Sequence, residues 1–449
     1  MQHQIDAERF GLRGEAMARA VQACVHCGWC LSPCPTYQIL GEEMDSPRGR
    51  IYLMKDVLEG SLVPADVQPY LDRCLGCGAC IPACPAGVAY DELMGHYRMA
   101  TRRQTRRRWQ DAARRKLLAS VLPYPGRLRA LLAAARLGRA VPWLLPTTWR
   151  NALELLPPAT PPVAPLPDVF PAHGRRRARV ALLTGCLSPV VAPQINWATL
   201  RVLARQGVET VVPAARGCCG ALPLQLGEAP ASRRLARQNL RVFPPDVDAI
   251  LTSSADCGAG IRDYPLLFAG EADQSQAEAF ATRVSDVCVF LDRLGWEPPA
   301  SLPMPPRGDE NRGSAPSRDR QDAEHLADRE SSVPTLSSPL RVVIHDACYA
   351  SRARDLAAAQ RRLLAALPNI ELVAGDDGDR CCGAAGVYNL LQPDIARQLG
   401  ERQAAAIAAS GADAVVTGSI SCLLQLQAHL RRQGHNLPVY HPLTLLDQA

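Results

Sequence analysis

Two short stretches decide the fold of the N-terminal part: CVHCGWCLSPCP at residues 24–35 and CLGCGACIPACP at residues 74–85. Each has the spacing C-x2-C-x2-C-x3-C-P. Three thiols two residues apart on a tight, glycine-containing loop can turn inward around one metal centre. The fourth thiol, just before proline, is carried away from its own loop. The doubled spacing therefore predicts two neighbouring metal centres that exchange one ligand.

This spacing resembles that of bacterial two-cluster ferredoxins, which implies two [4Fe–4S] clusters and a role in electron transfer. The first cluster is assigned Cys24, Cys27, Cys30 and Cys84, and the second Cys74, Cys77, Cys80 and Cys34. The alternative is a pair of structural zinc sites, but zinc usually takes its four cysteines from two C-x2-C pairs. Trp29 and Tyr37, beside the first motif, are expected to pack around the cluster. After Pro47, the sequence between the motifs predicts a helix.

Composition is that of a soluble protein, with 449 residues, 47% apolar and 21% charged. No apolar stretch approaches the roughly 20 residues of a transmembrane helix. The first residues lack the apolar core of a secretory signal, so we expect a cytoplasmic protein. Since disulfides are rare in the cytosol, the 17 cysteines favour metal or cluster binding.

Positive charge is concentrated between residues 98 and 150, which hold fourteen Arg or Lys and one acidic residue, Asp111. The segment resembles helices with Leu and Ala on one side and Arg on the other. Trp143 and Trp149 lie nearby in the sequence. Such basic amphipathic helices suit peripheral contact with an anionic membrane. A helical connector packed on other parts of the protein is an equal alternative. Nucleic acid is not expected as a partner, because no recognition motif accompanies the arginines.

The C-terminal part contains two copies of one α/β pattern. In each copy, three runs rich in Val, Ile and Leu lead into cysteine-bearing loops, and helical patterns follow. The loops carry Cys186, Cys218, Cys219 and Cys257 in the first copy, and Cys348, Cys381, Cys382 and Cys422 in the second. This alternation predicts parallel strands with helices on both faces and the cysteines at the C-terminal strand ends.

The expected fold class is mixed: a helical ferredoxin-like domain (α+β) followed by two βαβ-type α/β domains. A proline-rich linker and a polar, disordered insertion are expected between them. The boundaries are 1–97 for the two-cluster domain, 98–171 for the basic connector and linker, 172–300 for the first α/β domain, 301–338 for the insertion and 339–449 for the second α/β domain.

The repeated unit resembles the cysteine-rich (CCG) domains of heterodisulfide reductase subunits, which follow C…CCG…C-x-x-C. In both copies the first cysteine of the closing pair is serine, at Ser254 and Ser419. Four thiols per unit still suffice for a further iron–sulfur cluster or a zinc ion, although an unligated buried thiol group is an alternative. Cys288 matches no repeat position and is expected in the core. His345 is either a ligand, a second-layer donor or a structural histidine.

The whole chain resembles the iron–sulfur subunits of bacterial glycolate oxidases, on CVHCGWC…CPTY, DSPRGRIYLMK and CPAGVAY together with the two CCG units. The resemblance implies FAD-binding partner subunits that oxidise glycolate to glyoxylate, and electron transfer through this chain towards a membrane quinone. No catalytic residue is then expected in this chain. Alternatives are a subunit of a lactate or glycerol-3-phosphate dehydrogenase, a thiol–disulfide reductase, or a zinc-binding scaffold.

Overall fold

The computed structural model describes most of the chain. The described residues are 4–102, 104–105, 107–138, 153, 155, 163–215, 217–298, 339–348, 354–375 and 381–448. The expected disordered insertion at 301–338 lies outside them, as do Trp143, Trp149 and residues 156–162 of the expected linker. Among the described helices, none combines the length and apolar character that crossing a bilayer requires.

The N-terminal part is helical, with one cysteine loop after α1 and the other after α4. Its helices are α1 (Leu12–Gln22), α2 (Pro35–Leu40), α3 (Pro47–Leu58), α4 (Pro64–Asp72) and α5 (Tyr90–Thr101), with short 3-10 turns at Glu8–Phe10 and Glu43–Asp45. The predicted helix after Pro47 is confirmed as α3. It begins there because proline suits the first helical position and Ser46 Oγ accepts a hydrogen bond from Gly49 N at 2.9 Å. Met17, Met54 and Leu93 are in the core between these helices.

Two helices of the basic segment follow, α6 (Trp109–Val121) and α7 (Pro125–Gly138). Arginines at the start of this segment bind the protein itself. Arg107 Nη2 donates to Asp72 Oδ1 at 2.9 Å, and Arg115 Nη2 donates to Asp72 Oδ2 at 3.3 Å. Although burial opposes it, these arginines hold the pKa of Asp72 below its usual range. Part of the segment therefore acts as a connector fixed to the end of α4.

The first α/β unit contains a sheet of order β1-β3-β2-β4-β5 in which only β1 is antiparallel to its neighbour. Its strands are β1 (Val169–Phe170), β2 (Ala178–Leu183), β3 (Val208–Val211), β4 (Ala249–Thr252) and β5 (Val284–Asp286). Its helices are α8 (Ser188–Val191), α9 (Gln194–Arg205), α10 (Ala221–Gln225), α11 (Ala229–Val242), α12 (Ala255–Arg262), α13 (Tyr264–Leu267), α14 (Gln274–Thr282) and α15 (Val287–Leu294). The edge strand β1 comes from the end of the expected linker.

The second unit contains a parallel sheet of order β7-β6-β8-β9. Its strands are β6 (Leu340–Ile344), β7 (Ile370–Val373), β8 (Ala414–Val416) and β9 (Val439–Tyr440). Its helices are α16 (Arg354–Ala365), α17 (Tyr388–Leu391), α18 (Pro393–Ala409), α19 (Ile420–Arg432) and α20 (Pro442–Gln448). The prediction of two repeated α/β units with parallel strands is confirmed.

The two α/β units pack directly against each other. Their sheets contribute to one continuous apolar core that includes Val180 and Val342. Arg201 Nε donates to Asp447 Oδ2 at 2.9 Å, which joins α9 to α20. The cysteine-bearing ends of both sheets are therefore held in a fixed relation to each other.

Candidate metal centres

The first cysteine group surrounds one cavity in the N-terminal part. Cys24, Cys27, Cys30 and Cys84 line this cavity, and Cys80 of the other motif also borders it. Cys27 is exposed, whereas Cys24 and Cys30 are partly buried. This burial raises the pKa of Cys24, and it raises the pKa of Cys30 to about 11. A metal centre would offset this burial, because cations stabilise the thiolate form. The four thiols and their cavity therefore fit a cluster.

The loop that carries these thiols depends on a backbone turn. Gly28 has a φ of 84°, which favours glycine. A Cβ at this position would also lie 3.0 Å from Arg48 Nη1, which donates to the His26 carbonyl at 3.2 Å. Trp29, next to Gly28, differs from expectation: 67% of its surface is exposed, so it does not pack around the cavity.

The second cysteine group is more deeply enclosed. Cys34, Cys77 and Cys80 are buried, and Cys74 accepts a hydrogen bond from Gly76 N at 3.4 Å. Burial raises the pKa of Cys80, and the nearby Cys77, Cys74 and Cys34 thiols raise it further. Thiolates so close together repel one another, and the positive charge of bound iron would offset this repulsion. The structure thus brings together the four residues that the sequence assigned to the second cluster.

A buried arginine lies beside this second group, and sequence reasoning did not give it a role. Arg50 on α3 is only 1% exposed and donates from Nη1 to Thr36 Oγ1 at 3.1 Å. Its Nη2 lies 3.2 Å from Asp45 Oδ1. Although burial opposes it, the charge of Arg50 lowers the pKa of Cys74. The side chain therefore provides positive charge where a cluster would concentrate negative charge.

The first α/β unit brings its four cysteines together at the predicted strand ends. Cys186, Cys218 and Cys219 are buried, and Cys257 is half-buried. Hydrogen bonding with Cys186 and Cys219 raises the pKa of Cys218, and hydrogen bonding with Cys218 and Cys257 lowers the pKa of Cys219. All four thiols are thus linked in one continuous group.

The Cys218–Cys219 turn is held by side chains from neighbouring helices. Asn239 Nδ2 on α11 donates to the Cys218 carbonyl at 3.0 Å. The Tyr264 hydroxyl on α13 donates to the Cys219 carbonyl at 2.9 Å. These bonds fix the backbone from which both thiols project, so the group is built into the fold.

The second α/β unit brings together its own four cysteines and a histidine. The Sγ atoms of Cys348 and Cys381 lie 3.1 Å apart. The ligand atoms of His345, Cys382 and Cys422 lie within 4.8 Å of one another. The Cys382 thiol lowers the pKa of Cys422, and the His345 imidazole lowers it further, although burial opposes both effects. Cys288, in contrast, is buried and belongs to the general apolar core, as expected.

In the second unit, the serine that replaces cysteine is engaged in hydrogen bonds. Ser419 Oγ accepts from Cys422 N at 3.3 Å and donates to Asp256 Oδ2 at 2.7 Å. Ser421 Oγ donates to the same Asp256 oxygen at 2.9 Å. The closing loops also meet through a hydrogen bond from Ala255 N to the Gly418 carbonyl at 3.2 Å. The loops that carry Cys257 and Cys422 are therefore in direct contact.

Asp256 is a half-buried carboxyl between the two α/β cysteine groups. Burial, followed by the nearby Cys422, raises its pKa to about 6. Its bonding partners come from the other unit, which is why the sequence did not reveal its role. In the sequence, only its neighbour Cys257 indicated that this position lies close to a candidate metal centre.

The second group of the N-terminal part lies next to the second α/β unit. Leu75 and Cys77 share an apolar cluster with Cys381 and Leu399. The Tyr388 hydroxyl donates to the Arg73 carbonyl at 2.8 Å. Burial raises the pKa of Cys77 most, and the nearby Cys348 thiol raises it further. The four cysteine groups therefore follow one another, from the exposed first group through the second to the two α/β units.

Comparisons with known proteins agree with this arrangement. Residues 20–116 match the 4Fe-4S dicluster domain, and residues 180–262 and 342–427 each match the cysteine-rich domain called CCG. The chain is 32% identical to the glycolate oxidase iron–sulfur subunit of Escherichia coli over 100% of this chain and 99% of that protein. The chain belongs to the family of glycolate oxidase iron–sulfur subunits.

Two further relatives extend the comparison. A probable glycolate oxidase iron–sulfur subunit of Bacillus subtilis is 30% identical over 92% of this chain and 89% of its own length. One of the subunits of the fumarate reductase (CoM/CoB) of Methanothermobacter marburgensis is 25% identical over 96% of this chain and 73% of its own length. As an iron–sulfur subunit of this family, the chain carries two [4Fe–4S] clusters in its dicluster domain.

The position of Arg50 predicts the effect of its charge on one cluster. Reduction adds negative charge, so replacement by a neutral side chain (Arg50→Gln) should lower the reduction potential of the second cluster. An interaction of about 1.4 kcal/mol corresponds to about 59 mV for one electron, and we expect a shift of this order. EPR-monitored redox titration of the full chain measures it.

Arg48→Gln is the matched control, because Arg48 lies beside the first cavity and is 30% exposed. Arg48→Gln should lower the reduction potential of the first cluster. The shift should be smaller than that of the second cluster in Arg50→Gln, because water screens the charge of Arg48. Unchanged potentials in Arg50→Gln, with both clusters retained, would contradict the tuning role of Arg50.

Proposed function

We propose that this chain is the electron-transfer subunit of a glycolate-oxidising complex. It receives electrons from FAD-binding subunits that oxidise glycolate to glyoxylate and passes them towards a membrane quinone. The observation that carries this proposal is the unbroken succession of four cysteine groups from the exposed Cys27 to the second and first α/β units. A succession of adjacent centres suits electron transfer, and the hydroxy-acid chemistry belongs to the partner.

The ligand assignments are part of the proposal. The first [4Fe–4S] cluster is held by Cys24, Cys27, Cys30 and Cys84, and the second by Cys74, Cys77, Cys80 and Cys34. When bound, the clusters supply one-electron transfer. The chain's own residues exclude water from the second centre, provide the positive charge of Arg50, and donate backbone hydrogen bonds such as Gly76 N to Cys74.

Further metal centres in the α/β units complete the proposed path. Their ligands are Cys186, Cys218, Cys219 and Cys257 in the first unit, and Cys348, Cys381, Cys382 and Cys422 in the second. Ser254 and Ser419 leave each unit without the fifth cysteine of the CCG pattern, and Ser419 is already bonded to Asp256. We therefore assign these units to electron transfer and not to disulfide reduction.

The test uses the chain purified anaerobically together with its flavin-binding subunits. Glycolate should reduce the iron–sulfur centres, seen as the EPR signals of reduced clusters, faster than lactate or glycerol 3-phosphate does. Replacing one ligand of each cluster, Cys34→Ser with Cys84→Ser, should abolish these signals and the transfer of electrons to a quinone. Cys288→Ala is the control, because this buried cysteine lies outside all four groups.

Three results would contradict the proposal in different ways. Reduction by lactate or glycerol 3-phosphate but not by glycolate would assign the chain to a related dehydrogenase. Heterodisulfide reduction by the purified chain, lost in Cys218→Ser, would make it a thiol–disulfide reductase. Zinc without iron in the purified chain would leave only a scaffold role.

We also propose a cytoplasmic location with peripheral contact at the inner membrane, near the quinone acceptor. On α6, Trp109 is 77% exposed and Leu117 is 50% exposed, and each directly follows basic residues in the sequence. An aromatic and an aliphatic side chain on a basic helix suit the headgroup region of anionic lipids. These two side chains therefore support the membrane alternative for the basic segment.

Vesicle flotation checks this contact with the full chain. Vesicles that contain anionic lipid should carry the wild-type chain upwards, and the double variant Trp109→Ser, Leu117→Ser should float less. Val63→Ser is the control, since Val63 is an exposed apolar residue outside the basic segment. Equal flotation of all three proteins, or none with the wild type, would contradict membrane contact through α6.

A further inference from the structure

The second α/β cysteine group contains a histidine that the first group lacks. In each unit, the strand that precedes the first cysteine ends three or four residues before it. Three residues before Cys186 stands Leu183, whereas three residues before Cys348 stands His345. The two sites are therefore chemically different at one matched position, with an alkyl group in one and an imidazole in the other.

His345 is not a structural histidine with satisfied hydrogen bonds. Its side chain is 1% exposed, and its backbone N donates to the Val416 carbonyl at 2.8 Å, which fixes it at the end of β6. Neither ring nitrogen bonds to a nitrogen or oxygen atom of the residues that the structure describes, and the polar group beside the ring is the Cys422 thiol. Burying a polar group without a nitrogen or oxygen partner is unfavourable, so such a group requires a compensating interaction.

The ring lies close to two thiols that could share a metal centre with it. One ring nitrogen and the Sγ atoms of Cys382 and Cys422 lie within 4.8 Å of one another. Ligands held at about 2.0–2.3 Å from one tetrahedral ion are about 3.4–3.8 Å apart, so small side-chain movements would bring all three to a common ion. Imidazole and thiolate are the donors that zinc and iron prefer in proteins.

We propose that His345 is a metal ligand in the same centre as Cys382 and Cys422. One thiol of the close pair Cys348 and Cys381 completes a set of four ligands. The metal is either a single zinc ion or an iron cluster, because both accept four ligands of this mixed kind. The inference rests on the proposed metal binding of the second unit, and it does not depend on the substrate of the partner subunits.

A second buried polar side chain lines a cavity together with His345. Gln403 on α18 is 2% exposed, its Oε1 also lacks a partner among the described residues, and it lines the same small cavity as His345. A histidine that binds metal through one nitrogen usually donates its other N–H to an oxygen acceptor. The Gln403 carboxamide oxygen can accept that hydrogen bond and orient the ring.

The ligand set has a consequence for electron transfer. A neutral imidazole in place of a thiolate reduces the negative charge of a centre and raises its reduction potential if the metal is iron. The second unit also adjoins the second N-terminal cysteine group. An iron centre in the second unit would therefore accept electrons more readily than one in the all-thiolate first unit.

The experiment compares four variants of the full chain, purified anaerobically. His345→Leu copies the residue of the first unit, and His345→Cys offers a different ligand atom. The pair Cys382→Ala, Cys422→Ala defines the metal bound by the second unit. His429→Leu is the matched control, because His429 is also a buried histidine of this unit, on α19. Iron and zinc per chain are measured after dialysis against a chelator.

We expect His345→Leu to lose the same metal as the double cysteine variant, whereas His345→Cys and His429→Leu keep it. With 15N-labelled histidine, pulsed EPR of a reduced iron centre should show an imidazole coupling that His345→Cys lacks. If the metal is zinc, X-ray absorption should show one nitrogen ligand that disappears in the same variant.

Three results would overturn the proposal. One is a full metal content without nitrogen coordination in the wild type. Another is an equal loss of metal in His345→Leu, His345→Cys and His429→Leu, which would mean that His345 is structural. The third is a double cysteine variant that loses no metal. Iron in the N-terminal clusters is counted separately, so these failures are distinct from a failure of the proposed electron-transfer function.

Discussion

The packing of the second cysteine loop against the Cys381–Cys382 turn determines how the rest of the molecule is arranged. Leu75 and Cys77 on one side and Cys381 on the other share an apolar cluster, and the Tyr388 hydroxyl bonds to the Arg73 carbonyl across the same contact. This contact excludes water. It also places two cysteine groups from distant parts of the sequence side by side. An electron path through this chain requires that contact, since it joins the helical part to the α/β units.

A second contact joins the two α/β units at their cysteine-bearing ends. Asp256 of the first unit accepts hydrogen bonds from Ser419 and Ser421 of the second, and His441 Nε2 donates to the Ser253 carbonyl at 2.7 Å. The position that holds a cysteine in the CCG pattern thus serves in the second unit to hold the neighbouring loop. The repeat has kept its fold while its two sites have become different, most clearly at Leu183 and His345.

The sequence predicted the features that depend on local spacing. The doubled cysteine motif predicted two groups of four thiols, and alternating apolar runs predicted two parallel sheets; the structure has both. Side chains that act through distant partners were not predictable. Asp72 holds Arg107 and Arg115 across a gap of 35 and 43 residues, and Asp256 finds its partners more than 160 residues away. A local sequence pattern does not indicate contacts between residues so far apart in the chain.

Two residues beside the cysteines show the same limit. Trp29 was expected to pack around the first cluster, but its side chain is exposed at the surface. Arg50 lies in the DSPRGRIYLMK motif, which does not indicate a role for it, and only the fold reveals that it is buried beside Cys74. In both cases the residue type was visible in the sequence and its environment was not.

The central claim is that cysteines from both N-terminal loops combine to hold two adjacent iron clusters. Anomalous diffraction at the iron absorption edge, from crystals of the anaerobically purified chain, tests it most directly. Two iron peaks are predicted, one among Cys24, Cys27, Cys30 and Cys84 and the other among Cys74, Cys77, Cys80 and Cys34. Anomalous signal only at the zinc edge, or each cluster held by the four cysteines of a single loop, would contradict it.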